Sequence, residues 1–192
     1  MNSVDHSKAL AGKRALVTGG ARRIGHALAL ALAHAGAEVA ITYRESEAAA
    51  HETVSELQAA GSPRAMAVRC DVRREESVNA AVRAVTDRFG GLDLLVNNAG
   101  AFETAPLEEI SMAQWDTMYE TNTRGPFLVA KAAHAALQAA KGRIVNIGSL
   151  GGIHPWATHA HYCTSKAALH MLNHTMSKAW APAISVNCVA PG

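Results

Sequence analysis

The sequence lacks the features that would place the chain in a membrane or an oxidising compartment. Its three cysteines, Cys70, Cys163 and Cys188, include no CxxC pair, which argues against a disulfide framework and against a zinc site. Residues 24–37 form the longest membrane-like stretch, but it has only 14 residues and contains two histidines, whereas a spanning helix needs roughly 20 apolar residues. Residues 1–14 contain no apolar core of signal-peptide length. We therefore expect a cytoplasmic protein with no membrane partner.

Long runs of basic residues are also missing. Lys and Arg number 18 against 16 Asp and Glu, which gives a formal net charge of +2. This balance argues against nucleic acid or an acidic membrane surface as the main partner, so a small molecule is the expected ligand. The 192 residues are 49% apolar and 18% charged, which excludes a largely disordered chain or a coiled-coil rod and favours one domain over residues 1–192.

What the sequence does contain is a repeated alternation of short apolar runs with longer stretches of helical spacing. The nearly continuous apolar character of the runs is typical of a parallel sheet covered on both faces. We predict an α/β fold with a doubly wound parallel sheet, a Rossmann fold, in the strand order 3-2-1-4-5-6. Its ligand crevice is expected at the carboxyl ends of the strands. The predicted strands are 15–18, 39–43, 65–70, 92–97, 143–147 and 184–190.

The first chemical signal lies where the first predicted strand ends. Residues 18–25 read TGGARRIG and open directly into a helical stretch. Glycines here let the backbone turn tightly and bring amide N–H groups toward a phosphate at the positive end of the helix. A plain strand-to-helix turn is the alternative, but the strand-turn-helix context favours a dinucleotide site.

The second strand is not followed by the usual acidic residue that holds an adenosine ribose. Arg44 stands there instead, and Arg22 lies in the glycine turn. Arginine offers a planar fork of donors to phosphate oxygens, so these two residues favour NADP(H) over NAD(H). The alternative is that both arginines only solvate a surface and that Glu45 reaches the ribose.

A third signal is YCTSK at residues 162–166. Positions four apart share one helix face, so Lys166 can stand beside the phenol of Tyr162, where its ammonium favours the phenolate form. Tyr and Lys at this spacing also arise by chance on many helices. Here, however, Ser149 follows the fifth predicted strand and the NNAG segment 97–100 ends the fourth, so all these groups meet at one edge of the sheet.

Together these motifs resemble those of the short-chain dehydrogenase/reductase family, to which the closing Pro191-Gly192 pair also corresponds. The resemblance covers nearly the whole chain. It implies that Tyr162 is the general acid or base, that Lys166 supports its ionisation and holds the nicotinamide ribose, and that Ser149 orients a substrate carbonyl. The cofactor-binding residues expected from the motifs and the resemblance are Gly19, Arg22, Arg23, Ile24, Gly25, Arg44, Asp71, Val72, Asn98, Ala99, Gly100, Tyr162, Lys166, Pro191 and Gly192.

Asn122 matches the fourth catalytic position of the family. Its helix is predicted to begin at a capping box of Ser111 with Gln114, and to be interrupted at Pro126 because proline has no N–H to donate to the carbonyl of Asn122. The freed oxygen is expected to hold a water for a proton relay through Lys166. The alternative is that the proline simply ends one helix and starts another.

Two departures from the family pattern affect the expected activity. Arg23 stands where most members have glycine, and in this the turn resembles the pteridine reductase branch. Pterin enzymes of that branch carry Asp where this chain has Ser149, which weakens a pterin assignment. The family also continues beyond the position of Gly192, so we expect a seventh strand and a substrate-covering lid that the 192 residues lack.

The histidines could suggest a metal site. His154, His159 and His161 cluster in sequence, and His170 shares a helix face with His174. No suitably spaced carboxylate or cysteine completes a ligand set, so we expect no metal and solvated or substrate-facing histidines.

The expected function is that of an NADP(H)-dependent oxidoreductase that interconverts a carbonyl and an alcohol by hydride transfer. The alternatives are a pteridine reductase-like enzyme and a non-catalytic nucleotide-binding sensor or structural protein. Ala-rich stretches at 130–140 and 167–168, together with the resemblance, imply a homodimer or homotetramer; packing within one chain is the other explanation.

Overall fold

The computed structural model describes residues 8–192 as one parallel sheet with helices on both faces. Residues 1–7 belong to the segment on which the expected location depends, and they lie outside the described residues. The strands are β1 (Arg14–Val17), β2 (Glu38–Tyr43), β3 (Ala65–Arg69), β4 (Leu94–Asn97), β5 (Arg143–Ile147) and β6 (Ser185–Val189). The helices are α1 (Arg23–His34), α2 (Glu47–Ala59), α3 (Glu75–Phe89), α4 (Met112–Tyr119), α5 (Gly125–Ala139) and α6 (Ala160–Trp180).

The six strands lie in the order β3-β2-β1-β4-β5-β6, and each neighbouring pair is parallel. This order confirms the predicted doubly wound α/β fold. The observed strand ends differ from the predicted ones by at most two residues, and β5 has the predicted bounds. The chain reverses its direction of winding between β1 and β4, so the crevice for a ligand opens at the carboxyl ends of these two strands.

Two apolar clusters explain why the strands are apolar throughout. Alternate residues of one strand point to opposite faces of the sheet. In β1, Leu16 packs with residues of α3, α5 and α6 on one face, while Ala15 and Val17 pack with α1 and α2 on the other. All three are completely buried. Since both faces are covered, a polar residue within these strands would lose its contact with water, which accounts for the continuous apolar runs.

Helix ends follow the local signals in the sequence. Gly36, Gly61 and Gly90 come one or two residues after the ends of α1, α2 and α3. Their φ angles are +86°, +103° and +77°, a backbone region in which a side chain costs energy. At the start of α4, the Oγ of Ser111 accepts from the backbone N–H of Gln114, whose side chain accepts from the N–H of Ser111. The predicted capping box is therefore confirmed.

The predicted interruption near Pro126 takes the form of a π-helical segment, residues Glu120–Arg124, between α4 and α5. The backbone N–H of Gly125 donates to the carbonyl of Glu120, five residues back. Pro126 follows in the first turn of α5, where a missing N–H costs little. The chain therefore neither continues as a regular α-helix nor turns away, and this segment lies beside the expected catalytic residues.

The membrane-like stretch near residue 24 forms α1, whose buried residues are Gly25, Ala29 and Ala33. It is a helix against the sheet, as predicted. Among the described residues, no helix has the length and apolar content needed to cross a bilayer.

Candidate cofactor cleft and active site

A cleft of about 520 Å³ opens at the carboxyl ends of β1 to β4 and extends to α6. It joins the glycine turn at one end to Tyr162 and Lys166 at the other. The expected cofactor residues that line it are Gly19, Arg22, Arg23, Ile24, Gly25, Arg44, Asp71, Val72, Asn98, Ala99, Gly100, Tyr162 and Lys166. Residues far apart in the sequence therefore form one continuous surface.

The glycine turn has a backbone that larger residues adopt only with strain. Gly19 has a φ of +64°, and a Cβ at Gly25 would collide with the carbonyl oxygen of Gly19. No side chain caps the start of α1, and its first turn has no acidic residue, so its amide N–H groups remain available to an anion. These features fit the pyrophosphate of a dinucleotide.

Asn98, directly after β4, supports this turn. Its side-chain amide donates to the carbonyls of Thr18, at 2.9 Å, and Gly19, at 3.1 Å. The hydroxyl of Thr18 in return accepts from the backbone N–H groups of Asn98 and Ala99, each at 3.0 Å. Asn98 lines the cleft as expected, but its side-chain donors are committed to the turn, a role that the sequence pattern did not reveal.

The departure from the family pattern at Arg23 also affects the backbone conformation. The φ of Arg23 is +52°, in the left-handed region that glycine adopts without steric cost. A glycine is therefore the residue that this position favours conformationally, and the arginine is held there at a cost while its side chain lines the cleft.

The end of the cleft beside Arg44 and Asp71 contains a residue that sequence reasoning missed. Arg73 holds Asp71 through its guanidinium, with Nε to Oδ1 at 2.9 Å and Nη2 to Oδ2 at 2.6 Å. Its hydrogen bonds lower the pKa of Asp71 to about 2. Arg44 lines the same end and pairs with Glu45 at 2.9 Å. Oppositely charged residues two positions apart are common in sequences, so this spacing did not indicate a role for Arg73.

Tyr162 and Lys166 lie on one face of α6 at the opposite end of the cleft. The Nζ of Lys166 is 6.0 Å from the centre of the Tyr162 ring and donates to the carbonyl of Ile147 at 2.8 Å. Lys166 is only 5% exposed, and burial lowers its pKa to about 8. The end of β5 thus fixes the ammonium beside the tyrosine ring.

Ser149 is positioned just beyond β5 and is 3% exposed. Its Oγ accepts from the backbone N–H of Gly151 at 3.0 Å, so its own hydroxyl hydrogen remains available for another acceptor. Its backbone N–H donates to the Nε2 of His170 at 3.3 Å. Ser149 is not part of the lining of the cleft, but it follows Ile147, which lines the cleft, by two residues.

Asn122 is completely buried within the π-helical segment. Its side chain accepts from the N–H of Ala101 at 2.8 Å and donates to the carbonyl of Ala101 and the Oγ of Ser165, each at 3.0 Å. The side chain therefore ties the loop after β4 to α6. Its backbone carbonyl, not its amide, is the group that the expected relay requires.

Pro191 and Gly192 are not part of the lining of the cleft. The carbonyl of Pro191 accepts from the N–H of Leu150 at 2.8 Å, which attaches the end of the chain to the Ser149 turn. Their cofactor-binding role stays a prediction.

The sequence analysis also missed some of the aromatic side chains that surround Tyr162. The Phe102 ring meets Tyr162 edge to face at 4.8 Å and stacks on His159 at 4.8 Å, and Trp156 lies 6.1 Å from Tyr162. His159 is fixed by hydrogen bonds between its two ring nitrogens and the hydroxyls of Thr104 and Thr158, both at 3.0 Å. These rings belong to the loops after β4 and β5.

The structure corrects the expectation that the histidines are solvated or substrate-facing. His161 is completely buried, and neither ring nitrogen has a hydrogen-bond partner within the described chain. It is therefore neither solvated nor substrate-facing, because the turn of α6 that carries Tyr162 into the cleft points the preceding residue inward. Within residues 8–192, no group of His, Cys, Asp and Glu side chains is arranged to hold a metal ion.

Comparison with known proteins agrees with this geometry. A family model described as short chain dehydrogenase matches residues 13–192. The chain is 37% identical to 3beta-hydroxysteroid dehydrogenase 1 of Eggerthella lenta, over 95% of this chain and 71% of that protein. It is also 37% identical to a 3-oxoacyl-[acyl-carrier-protein] reductase of Synechocystis sp., over 96% of this chain and 75% of that protein.

Solved structures show the same similarity in three dimensions. A dehydrogenase/reductase from Sinorhizobium meliloti superposes with a TM-score of 0.92 at 43% identity, covering 97% of this chain and 74% of that one. A short chain dehydrogenase from Burkholderia cenocepacia, in complex with NADP, gives a TM-score of 0.90 at 42% identity, covering 95% and 75%. Because the family match runs from the start of β1 to the last residue, this protein belongs to the short-chain dehydrogenase family and is an oxidoreductase.

Proposed function

We propose that this protein is an NADP(H)-dependent enzyme that interconverts a carbonyl and an alcohol. The observation that carries the proposal is the single cleft in which the glycine turn and the Tyr162–Lys166 pair face the same space. A dinucleotide seated on the turn would extend toward Tyr162. A bound nicotinamide supplies or accepts the hydride at the carbonyl carbon.

In this proposal Tyr162 transfers the proton and Lys166 supports its ionisation. Below pH 8 the buried Lys166 carries its charge, since its pKa is about 8, and a cation near a phenol favours the phenolate. Tyr162 donates a proton to the substrate oxygen during reduction and takes one from the alcohol during oxidation. Lys166 also offers its ammonium to the nicotinamide ribose.

Ser149 orients the substrate in this proposal. Its Oγ already accepts from Gly151, so the hydroxyl hydrogen can donate to the carbonyl oxygen that Tyr162 protonates. Two donors on one oxygen stabilise the negative charge that develops there during hydride addition. The backbone carbonyl of Asn122 would hold the water that links Lys166 to solvent.

NADP(H) is favoured over NAD(H) by the charge at the adenine end. Arg22 and Arg44 line the cleft there, and the carboxylate of Asp71 is held by Arg73. The similar protein from Burkholderia cenocepacia is in complex with NADP. Glu45 is the residue that could reverse this preference, but it is paired with Arg44.

Cofactor oxidation followed by absorbance over a panel of ketones, aldehydes, diones, quinones and pterins tests the activity. Reduction of simple carbonyls supports the proposal, and turnover confined to pterins would favour the pteridine reductase-like alternative. Cofactor binding without turnover of any panel member would favour the sensor or structural protein.

We also propose that the protein is a homodimer or homotetramer assembled through α5 and α6. Ala130 and Ala133 are buried within the chain, so packing within one chain explains that part of the Ala-rich stretch. Phe127 and Met171 remain 41% and 66% exposed on the same two helices, which supports an interface there. Light scattering would measure the mass in solution, and a monomer at all concentrations would contradict the proposal.

A further inference from the structure

His170 stands one helical turn after Lys166 on α6 and faces the turn that carries Ser149. Its Nε2 lies 3.3 Å from the backbone nitrogen of Ser149. A Cβ at Gly148 would collide with the Nε2 of His170, and a Cβ at Gly152 would lie 2.8 Å from its Cε1. The glycines on both sides of Ser149 thus leave the space that this imidazole fills.

The direction of this hydrogen bond defines the protonation of the ring. A backbone N–H can only donate, so the Nε2 of His170 must be the acceptor and must carry no proton. The imidazole is then neutral, with its hydrogen on Nδ1. A protonated ring would present an N–H to the Ser149 N–H, and the contact would be lost.

We propose that His170 is a positioning residue that, in its neutral form, holds the Ser149 turn at the substrate-facing end of the cleft. The proposal rests on the proposed function only for its effect on turnover, because the contact itself is a property of the fold. His170 touches the backbone of Ser149 and not the hydroxyl, so it acts on the reaction through Ser149.

The charged and titratable groups around His170 favour its neutral form. Lys166 and His174 flank it on α6, and Cys188 of β6 lies against the same turn, near Gly148. Burial lowers the pKa of His170, and Lys166 and then His174 lower it further, while burial raises the pKa of the Cys188 thiol. At neutral pH the ring therefore accepts, and it loses the contact only in acid.

Replacing His170 tests the contact in two steps. His170→Leu removes the acceptor, and we expect kcat for carbonyl reduction to fall about 10- to 100-fold at pH 7, because small displacements of a reacting group cost up to about that much. The dissociation constant of NADPH should stay unchanged, since the glycine turn is at the other end of the cleft. His170→Gln keeps an acceptor that does not titrate, so it should retain most of kcat.

The pH profile separates positioning from a general loss of stability. The wild-type protein should lose kcat at acid pH with an apparent pKa below 6.5, the ordinary value for histidine, and His170→Gln should lack this limb. His174→Gln, on the same helix, is the matched control: it should keep the acid limb, moved to slightly higher pH because His174 no longer lowers the pKa of His170. A wild-type kcat in His170→Leu, or an unchanged acid limb in His170→Gln, would overturn the proposal.

Nitrogen-15 NMR of the histidine rings tests the contact without turnover. We expect the Nε2 of His170 to be unprotonated at pH 7, and to become protonated only in acid. A proton on Nε2 at pH 7 would overturn the proposal even in an active enzyme. If no carbonyl is reduced but Nε2 is unprotonated, the proposed function fails while the positioning contact stands.

Discussion

At the scale of single residues, the candidate active site contains a buried lysine that the fold holds in place. Lys166 is 5% exposed, and its ammonium donates to the carbonyl of Ile147 at 2.8 Å. A buried cation is costly without such a partner. We propose that its charge serves the reaction, and variants of Tyr162 and Lys166 should separate proton transfer from cofactor binding.

Tyr162→Phe should lower kcat by about 10²- to 10⁴-fold, the range that general acid or base catalysis contributes. The affinity for NADPH should change little, because phenylalanine keeps the ring that lines the cleft and lacks only the hydroxyl to which we assign proton transfer. Lys166→Ala should lower both kcat and NADPH affinity, whereas Lys178→Ala, at the exposed end of α6, should alter neither. Steady-state kinetics and fluorescence titration measure the two effects. Wild-type kcat in Tyr162→Phe would exclude the assigned mechanism.

Arg44→Ala should weaken NADPH binding far more than NADH binding. A hydrogen bond to a charged group contributes about 1.5–3 kcal/mol, and only NADPH carries the 2′-phosphate that Arg44 would contact. Calorimetric titration of both cofactors into the wild type and the variant gives the comparison. Arg88→Ala, in the last turn of α3, removes the same charge away from the cleft and should leave both affinities unchanged. Equal losses for both cofactors in Arg44→Ala would contradict the assignment.

At the scale of elements, two loops build the wall beside Tyr162. The loop after β4 carries Phe102, and the loop after β5 carries Trp156 and His159. A backbone hydrogen bond from Ala105 to Thr158, at 3.0 Å, joins the loops. Phe102 nevertheless stays 58% exposed, so an aromatic face remains open to a substrate.

This wall should favour aryl ketones over saturated ones of similar size. We expect a higher kcat/KM for acetophenone than for cyclohexyl methyl ketone, because an aromatic pair contributes about 0.5–1.5 kcal/mol beyond the burial of its area. Phe102→Leu keeps an apolar side chain but removes the ring, so it should reduce the ratio of the two kcat/KM values. Phe127→Leu, on α5, is the control and should leave the ratio unchanged. A ratio that Phe102→Leu does not alter would show that the ring takes no part in selection.

The helices also show where local signals are sufficient and where they are not. The capping box at Ser111 follows from residues three positions apart, and the structure confirms it. The missing N–H of Pro126 predicts a disturbance, but the resulting π-helical segment lies before the proline, at Glu120–Arg124. Its place is set by tertiary contacts: Asn122 bonds to Ala101 and Ser165, which no periodicity within the helix reveals.

At the scale of the whole molecule, Asp93 connects the amino-terminal ends of the central strands. Its carboxylate accepts from the Nε of Arg14 at 2.6 Å and from the Nζ of Lys13 at 3.2 Å. Burial raises the pKa of Asp93, but the hydrogen bonds from Arg14 and Lys13 outweigh it and leave the pKa below its usual value. The ionised form is therefore stabilised by folding.

This lowered pKa gives the molecule an acid-sensitive part of its stability. That part is fully present above the pKa of an unfolded aspartate, about 3.9, and is lost as pH falls below it toward the folded value. Asp93→Asn should thus be less stable than the wild type at pH 7, with a difference that shrinks below about pH 4. Thermal unfolding at several pH values measures it, with exposed Asp87→Asn as a control that should show no such trend. A difference that is constant with pH would refute the role of Asp93.

One expectation at this scale stays a prediction. The order of the strands leaves β6 at the edge of the sheet, with Val189 53% exposed. An apolar edge strand is prone to pair with another strand, which is the physical reason for expecting a seventh strand beside it.

The sequence by itself determined the order of strands and helices, the glycine turn and the positions of Tyr162 and Lys166, because each depends on residues close together in the chain. Only the tertiary structure decided which polar groups pair across elements. Asn97 donates to Asn146 at 2.9 Å, and Asn146 donates to Asn173 at 2.9 Å, inside the core. Such contacts, like that of His170 with Ser149, form because packing removes water, so that most buried polar groups are stable only when they bond to a partner, here on another element.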